Sequence, residues 1–360
     1  MLFSHETLRA SRGRRTDFPI IVAIHSTILG PAVGGCRVKD YGDFSSAVAD
    51  CLLLAEAMTY KAAAVDNGTG GGKSVACVPK DWAGFSRHRD RAPLFLDIAD
   101  IVAELVGQYH VAPDVGSTPD DMGVVRRRTP YVAGLPLSLG GAGGTAYGTA
   151  IGVFAALELA SSTILGSQSL RGATIALQGF GGVGSLLCDL LTKAGASVVA
   201  TDIDLSKRQA VEQSGAKWVA PETICAQDCD VFMPCALGGI LDDRVIADLR
   251  CKLVVGAANN QLARPESESL MTQRGIVYIP DFVANAGGLA YSSGIEIHGL
   301  SAQASSERLV TRITGALRTA FDMRDEGLSL TRAAYRIAED RLRDGGYAGP
   351  SALPGPDGNA

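Results

Sequence analysis

Lys61 and Lys73 lie twelve positions apart in YKAAAVDNGTGGGKSV (60–75), a stretch with almost no other charge, and Asp114 follows in APDVGST (112–118). Lysine heads belong in water unless something holds them, so the two are either solvated loop residues or a pair of cations kept in a cleft. In a cleft, burial or a neighbouring cation makes an ammonium easier to deprotonate, which turns a lysine into a base near neutral pH. Asp114 reads as a proton-handling carboxylate, with a turn aspartate that satisfies backbone N–H groups as the alternative.

A second group of residues points to a nucleotide. TIALQGFGGVGSLLCDLL (174–191) holds Gly179, Gly181 and Gly184 in GxGxxG spacing, with Gly182 and Val183 inside the turn. The motif follows an apolar β-like run and opens a helical one. In that setting the first glycine permits the tight turn, the second lets backbone approach a pyrophosphate, and the third lets helix and strand pack closely. The phosphates then lie at the positive end of the helix. Asp202, twenty-three residues after Gly179 and at the end of SVVAT, can accept both adenosine ribose hydroxyls and repel a 2′-phosphate, which favours NAD over NADP. Lys207 and Arg208 stand close enough in sequence to soften that preference. Hydride chemistry of other kinds is less well served: no YxxxK pair follows the glycine motif, and His298 is the only histidine after it.

The elements that must position these residues alternate between β and α periods. PIIVAIHS (19–26) reads as a strand; Val48, Cys51, Leu52, Ala55 and Met58 recur at helical spacing behind Ser45 and Ser46 as caps, which places Lys61 after a helix. STPDDMGVV offers Ser117 or Thr118 as a cap, Pro119 in the first turn and two aspartates at the positive helix end. TIALQ (174–178), SVVATD (197–202), DVFMP (230–234) and KLVVG (252–256) are strand candidates separated by helical or turn material, the order of a parallel, doubly wound sheet. The glycine-rich LSLGGAGGTAYGTA (137–150) is the expected domain junction.

The fold class expected is α/β in two domains with a cleft between them. Residues 1–138 form an N-terminal α/β substrate domain, on which helices in 325–348 pack back; 139–324 form a Rossmann-type doubly wound dinucleotide-binding domain; 349–360, rich in Gly and Pro, form a disordered tail. A 360-residue chain with 46% hydrophobic and 20% charged residues is globular, and a net charge of -5 gives no general attraction for nucleic acid or anionic membrane. Eight scattered cysteines without paired spacing read as free thiols of a cytoplasmic protein rather than as metal ligands. Neither a signal peptide nor a run of about 18 apolar residues is expected.

Seven stretches, in order, resemble the successive motifs of the amino-acid dehydrogenases that include the leucine, valine and phenylalanine enzymes: GPAVGGCR (30–37), MTYKAAA (58–64), GGGKSV (70–75), APDVGST (112–118), CALGGIL (235–241), GAANNQLA (256–263) and PDFVANAGGL (280–289). The resemblance covers roughly residues 20–345 and implies an NAD-dependent, reversible oxidative deamination of an L-amino acid to its 2-oxo acid and ammonia, by a homo-oligomer. It implies that Lys61 binds the substrate carboxylate, that Lys73 is the base that activates water, and that Asp114 moves protons to and from the departing ammonia. Gly34 and Gly35 would help hold the substrate, as would the backbone of GTGGGK; Val33, Ala112, Leu289 and Ser292 would line the side-chain pocket, and Asn285 would face it. Thr149 would approach the nicotinamide amide, with Ala236 and Asn259 or Asn260 along the cofactor.

The chain departs from the family pattern at GAGGTAYG, before Thr149, and at YSSGIEIHG (291–299), where an Asp/Glu pair is usual. The absence of a further cation among the pocket residues argues for an apolar substrate, since glutamate would bury a second carboxylate unpaired. Ala112 favours branched aliphatic amino acids and Leu289 resembles phenylalanine-type members; leucine, valine and isoleucine stand first and phenylalanine second. An NAD-binding regulator without activity and a 2-hydroxy-acid dehydrogenase are the competing readings.

Overall fold

The computed structural model describes residues 4–83 and 90–346, which divide into two compact units. Unit one comprises residues up to Thr145 together with Leu289–Ser305 and the chain from Tyr335; unit two comprises Ala146–Gly288 and Ser306–Ala334. The sequence pattern places 289–305 in the nucleotide domain. The carboxylate of Glu296 explains the difference: it accepts backbone N–H groups from Gly134, from Leu135 at 2.8 Å and from Ala142 at 3.0 Å, which fastens this stretch to unit one. The 349–360 tail lies outside the described residues.

Unit one is built on a five-stranded sheet in the order β1-β2-β4-β3-β5: β1 (Thr7–Arg12), β2 (Pro19–Ser26), β3 (Ala32–Lys39), β4 (Gly70–Cys77) and β5 (Tyr109–Pro113). β1 and β2 run antiparallel to each other, as do β2 and β4, whereas β3 is parallel to both β4 and β5. Helix α1 (Phe44–Ala64) covers one face. There Ile21, Ala23 and Val75 of the sheet pack on Ala47, Cys51 and Ala55 of the helix. The opposite face, with Ile20, Val22, Ile24, Cys36 and Val38, packs on α3 (Ala92–Glu104) and α4 (Pro119–Arg126); α2 is a single turn, Lys80–Ala83. The strict alternation along β2 and β3 is the period-2 signature of a strand buried on both faces.

Local expectations fail at three points in this unit. α1 is capped by Asp43, which accepts the Ser46 N–H, rather than by a serine. The helix also runs past Lys61 to Ala64, because Lys-Ala-Ala-Ala are strong helix formers and Arg341 donates to the carbonyls of Ala63 and Ala64 at 2.7 and 2.6 Å. GTGGGK is largely strand and not loop: Gly70, Gly71 and Gly72 are in β4. A Cβ on Gly70 would lie 1.9 Å from the Ser26 carbonyl oxygen, and one on Gly71 2.1 Å from the Thr59 nitrogen. These glycines let β4 press against its neighbours and α1. Thr118 caps α4 in a reciprocal box with Asp121, with Pro119 in the first turn.

Unit two contains a fully parallel six-stranded sheet in the order β11-β10-β9-β6-β7-β8: β6 (Thr174–Gln178), β7 (Ser197–Thr201), β8 (Lys217–Trp218), β9 (Val231–Pro234), β10 (Leu253–Val254) and β11 (Val277–Tyr278). The crossing of chain order at β6 is that of a doubly wound nucleotide-binding sheet. α5 (Ala146–Ala160), α6 (Gly182–Lys193), α7 (Arg208–Gln213), α8 (Asp243–Asp248), α9 (Ser267–Gln273) and α10 (Asp281–Ala284) connect or flank the strands. α11 (Gly287–Glu296), α12 (Ala302–Asp325) and α13 (Leu330–Asp344) are the last helices among the described residues. One helical stretch among the described residues, Ala146–Leu165, is long and apolar enough to cross a membrane by length and composition, although Glu158 and several Ser and Thr residues interrupt its apolar run. Its Val153, Ala156, Leu157 and Ala160 are fully buried, which makes it a packed core helix of this unit.

Candidate active site

Three adjacent parallel strands bring the charged residues of unit one together. Gly35 of β3 pairs with Ala112 of β5. Val33 pairs with Gly71 and Cys36 with Ser74, so the same offset on either side puts Gly35 across from Lys73 of β4. Side chains at Lys73, Val33, Ala112 and Asp114 therefore share the face covered by α1. Glycine is required in the middle of this row: a Cβ at Gly35 would stand 2.6 Å from Cβ of Asp114, and one at Gly34 would stand 1.6 Å from the Gly72 oxygen. With no side chain in the way, Lys73 reaches across β3 and its ammonium meets Oδ2 of Asp114 at 2.6 Å.

Lys73 is 5% exposed, so this is a buried ammonium with a charged partner. Asp114 is also held by a residue to which the sequence reading gave no role, Arg37, whose Nε lies 3.1 Å from the same oxygen. Arg37 continues to Asp50 at 3.0 Å, and the Tyr41 hydroxyl donates to Asp50 at 2.6 Å. Burial is the largest single influence on the Asp114 carboxyl and pushes its pKa up. The charges of Lys73 and Arg37, with the Lys73 hydrogen bond, together outweigh it and hold the pKa below the usual carboxylate value. Asp114 is thus ionised at neutral pH. Its backbone is fixed as well: its N–H donates to the Ser117 hydroxyl at 2.8 Å, and that hydroxyl donates to the Cys36 carbonyl at 2.7 Å. The only sequence signal for Arg37 was its place at the end of the glycine-containing GPAVGGCR stretch.

Next to this row, Val33 and Leu289 pack in one apolar cluster with Ala62, Met58 and Ile297. The last three had not been singled out as pocket residues, although Met58 and Ala62 are four residues apart on α1 and so on one face. Lys61 lies between them in sequence, in the last turn of that helix. Ala112 is nearly buried in β5, and Ser292 is buried with its hydroxyl donating to the Leu289 carbonyl at 3.3 Å. The carbonyl of Gly34 is engaged by the Tyr109 hydroxyl at 2.8 Å.

In unit two the glycine motif has the geometry of a phosphate cradle. Gly179 has φ +100°, and a Cβ there would stand 3.0 Å from the Ala236 nitrogen; one on Gly184 would stand 2.0 Å from the Gly179 oxygen. Gly181 is the N-cap of α6, has no side-chain cap and faces open space. The N–H groups of the first turn, including Gly182, Val183 and Gly184, are therefore presented as an anion site at the positive end of a 12-residue helix. Asp202, at the tip of β7, accepts the Phe180 N–H at 2.8 Å and so sits beside the cradle.

Thr149 is half-buried on α5, and Ala236 is exposed directly after β9. Asn285 belongs to this unit. Its amide donates to the carbonyls of Ala257 and Ala258 and to Oδ1 of Asn259 at 2.9 Å, while its own Oδ1 is buried and accepts nothing. The residues present thus fit a dinucleotide, with an anion cradle, a carboxylate beside it and a buried acceptor left open. Among the described residues no cluster of His, Cys, Asp and Glu is arranged to hold a metal ion.

A family model described as Glu/Leu/Phe/Val dehydrogenase, dimerisation domain, matches residues 1–131, and one described as Glutamate/Leucine/Phenylalanine/Valine dehydrogenase matches 140–204 and 202–345. The chain is 37% identical to a leucine dehydrogenase of Bacillus subtilis over 342 residues, which is 94% of this chain and 92% of that one. It is 36% identical to a phenylalanine dehydrogenase of Thermoactinomyces intermedius over 350 residues, covering 95% of this chain and 92% of that one. The crystal structure of L-tryptophan dehydrogenase from Nostoc punctiforme superposes with a TM-score of 0.80 at 32% identity, covering 95% of this chain and 97% of that one. The chain therefore belongs to the Glu/Leu/Phe/Val dehydrogenase family and is an amino-acid dehydrogenase, an oxidoreductase that works with a nicotinamide cofactor.

Proposed function

We propose that the protein catalyses the reversible NAD-dependent oxidative deamination of an apolar L-amino acid, with leucine, valine and isoleucine ahead of phenylalanine. The observation that carries this reading is the buried Lys73–Asp114 pair at 2.6 Å beside the apolar Val33–Leu289 cluster. In the overall reaction the amino acid, water and NAD give the 2-oxo acid, ammonium, NADH and a proton. When bound, the nicotinamide supplies the acceptor for the hydride that leaves the substrate Cα.

The protein's own residues do the rest. Lys61 pairs with the α-carboxylate and fixes the substrate's orientation. Asp114, ionised at rest, takes a proton from the substrate ammonium, which leaves the neutral amine needed for hydride loss. Lys73, having first given up its own ammonium proton to solvent, then acts as base on the water that attacks the resulting iminium carbon, and its contact with Asp114 gives protons a direct route between the two groups. Asp114 returns a proton to the nitrogen as ammonia departs. Arg37, held by Asp50, keeps Asp114 in place and keeps it ionised between turnovers. No cation besides these stands among the pocket residues Val33, Ala112, Leu289 and Ser292. A side-chain carboxylate there would cost several kcal/mol, roughly the penalty of an unpaired buried charge.

Gly179, Gly181, Gly182, Val183 and Gly184 hold the pyrophosphate and Asp202 the adenosine ribose, with Thr149, Ala236 and Asn259 along the nicotinamide half. Asn285, whose Oδ1 lacks a donor, would accept one from the bound ligands. The protein works in the cytoplasm, in keeping with eight free cysteines. It works as a homo-oligomer, in keeping with the dimerisation-domain match. The test is a panel of L-amino acids with NAD, read as NADH formation. Leucine, valine and isoleucine are expected to turn over at different rates with the highest efficiencies, since hydrophobic pockets discriminate by only about 1–3 kcal/mol per methylene. Glutamate or alanine as the best substrate would overturn the apolar reading, and phenylalanine well ahead of leucine would show that Ala112 does not limit the pocket.

A further inference from the structure

The ribose-side carboxylate is not a free acceptor. Oδ2 of Asp202 holds the Phe180 N–H at 2.8 Å and the Lys207 ammonium at 2.8 Å, and Oδ1 holds the Asp204 N–H at 2.9 Å. A carboxylate offers about four lone-pair sites, so three engaged donors leave it short of the two that a ribose diol needs. Its charge is compensated too: Lys207 and Asp202 form a pair in which the aspartate is 9% and the lysine 34% exposed. The lysine is the more exposed partner. It closes a single 3-10 turn, Leu205–Lys207, which Asp204 caps by accepting the Ser206 N–H at 3.1 Å and the Ser206 hydroxyl at 2.6 Å. Its ammonium is a flexible point charge on a long stem and can turn from the carboxylate to another anion within reach. Arg208, the other cation close by in sequence, is committed elsewhere, to Glu212 at 2.9 Å.

We propose that Lys207 is a specificity-determining residue of the adenosine-ribose pocket: it neutralises Asp202 and offers its ammonium to a 2′-phosphate, so the protein binds NADPH as well as NADH, with a modest preference for NADH. The phosphate, carrying close to two negative charges, meets a neutral ion pair that can open and not a bare carboxylate. When NADH binds, Lys207 must release Oδ2 for the ribose, which costs part of the contact that would otherwise favour NADH. Asp204, exposed and beside the pair, keeps the balance on the NADH side. The inference rests on reading unit two as the nicotinamide-nucleotide site.

Equilibrium titrations followed by reduced-nucleotide fluorescence test it, with NADH and NADPH against the full-length protein, Lys207→Ala and Lys207→Arg. The wild-type protein is expected to bind NADPH within about tenfold of NADH, the scale of one charge-assisted contact. Raising the salt concentration should widen that gap, because the phosphate contact is solvent-exposed. In Lys207→Ala, NADPH should bind about tenfold more weakly while NADH is not weakened, and Lys207→Arg should keep the wild-type ratio. An unchanged NADPH/NADH ratio in Lys207→Ala, or wild-type protein that binds NADH and not NADPH, overturns the proposal and leaves the nucleotide site standing. Failure of the wild-type protein to bind either nucleotide overturns the nucleotide-site reading itself.

Discussion

Replacing Asp114 by asparagine keeps the shape of the side chain and removes its charge, which separates what the carboxylate does in catalysis from what it does in the fold. In the structure one oxygen, Oδ2, carries both the Lys73 ammonium at 2.6 Å and Arg37 Nε at 3.1 Å. Arg37 keeps its second carboxylate, Asp50 at 3.0 Å, so the loss falls mainly on Lys73. A hydrogen bond between charged groups contributes about 1.5–3 kcal/mol, and the asparagine oxygen still accepts one bond, so Asp114→Asn is expected to cost roughly 1–2 kcal/mol of folding stability. The catalytic loss is larger. An amide can neither take the substrate's proton nor pass one back, and positioned acid–base groups contribute about 10²–10⁴-fold, so kcat for deamination should fall at least ~100-fold. NADH affinity should stay within a few fold, since the cradle around Gly181 is built from unit two alone. The measurements are a urea melt, steady-state NADH formation and an NADH titration on the same preparation. A variant that keeps more than about a tenth of wild-type kcat would refute the proton-handling role. One that loses NADH binding to the same extent as kcat would show that the lesion is not confined to the Lys73 pair.

Two further perturbations probe neighbouring parts of the account. Lys61→Ala should act on substrate affinity, raising the Michaelis constant for the amino acid by about ten- to hundredfold, the equivalent of roughly 1.5–3 kcal/mol for a lost charge-assisted contact; an unchanged constant would remove Lys61 from carboxylate binding. His25, fully buried on β2 with Nδ1 2.9 Å from the Thr59 hydroxyl, has its pKa pushed down to about 4, by burial first and by the neighbouring His5 second. The unfolded chain therefore binds the extra proton between about pH 6.5 and 4 while the folded one does not, so this contribution is full above 6.5 and is lost as the pH falls. Between pH 7 and 5 the wild-type protein should lose roughly 2 kcal/mol more stability than His25→Gln, and parallel pH profiles for the two would contradict it.

Much of unit two was legible because its chemistry is local: the turn at Gly179, the open cap at Gly181 and the acid at Asp202 lie within one βαβ segment, where spacing alone fixes their relation. Unit one was harder to read, since its charged row is assembled across β4, β3 and β5 from residues up to seventy-seven positions apart. GTGGGK illustrates the difficulty. Its composition is that of a loop, yet each missing Cβ is a place where backbone or α1 presses against β4, and tertiary close packing overrode the local propensity. Arg37 was passed over for a related reason, because a single arginine at a strand end carries no periodic signal and gains its role only when β5 delivers Asp114 beside it. Lys207 and Asp202 were close enough in sequence to suggest an interaction, but only coordinates show that the carboxylate's oxygens are already engaged.

Turnover of leucine with NAD by Lys73→Ala, with NADH binding measured on the same sample, tests the role of Lys73 as the base most directly. The expected result is a loss of at least ~100-fold in kcat with NADH affinity held within a few fold. Turnover at a tenth or more of the wild-type rate would contradict the assignment of Lys73 as the base.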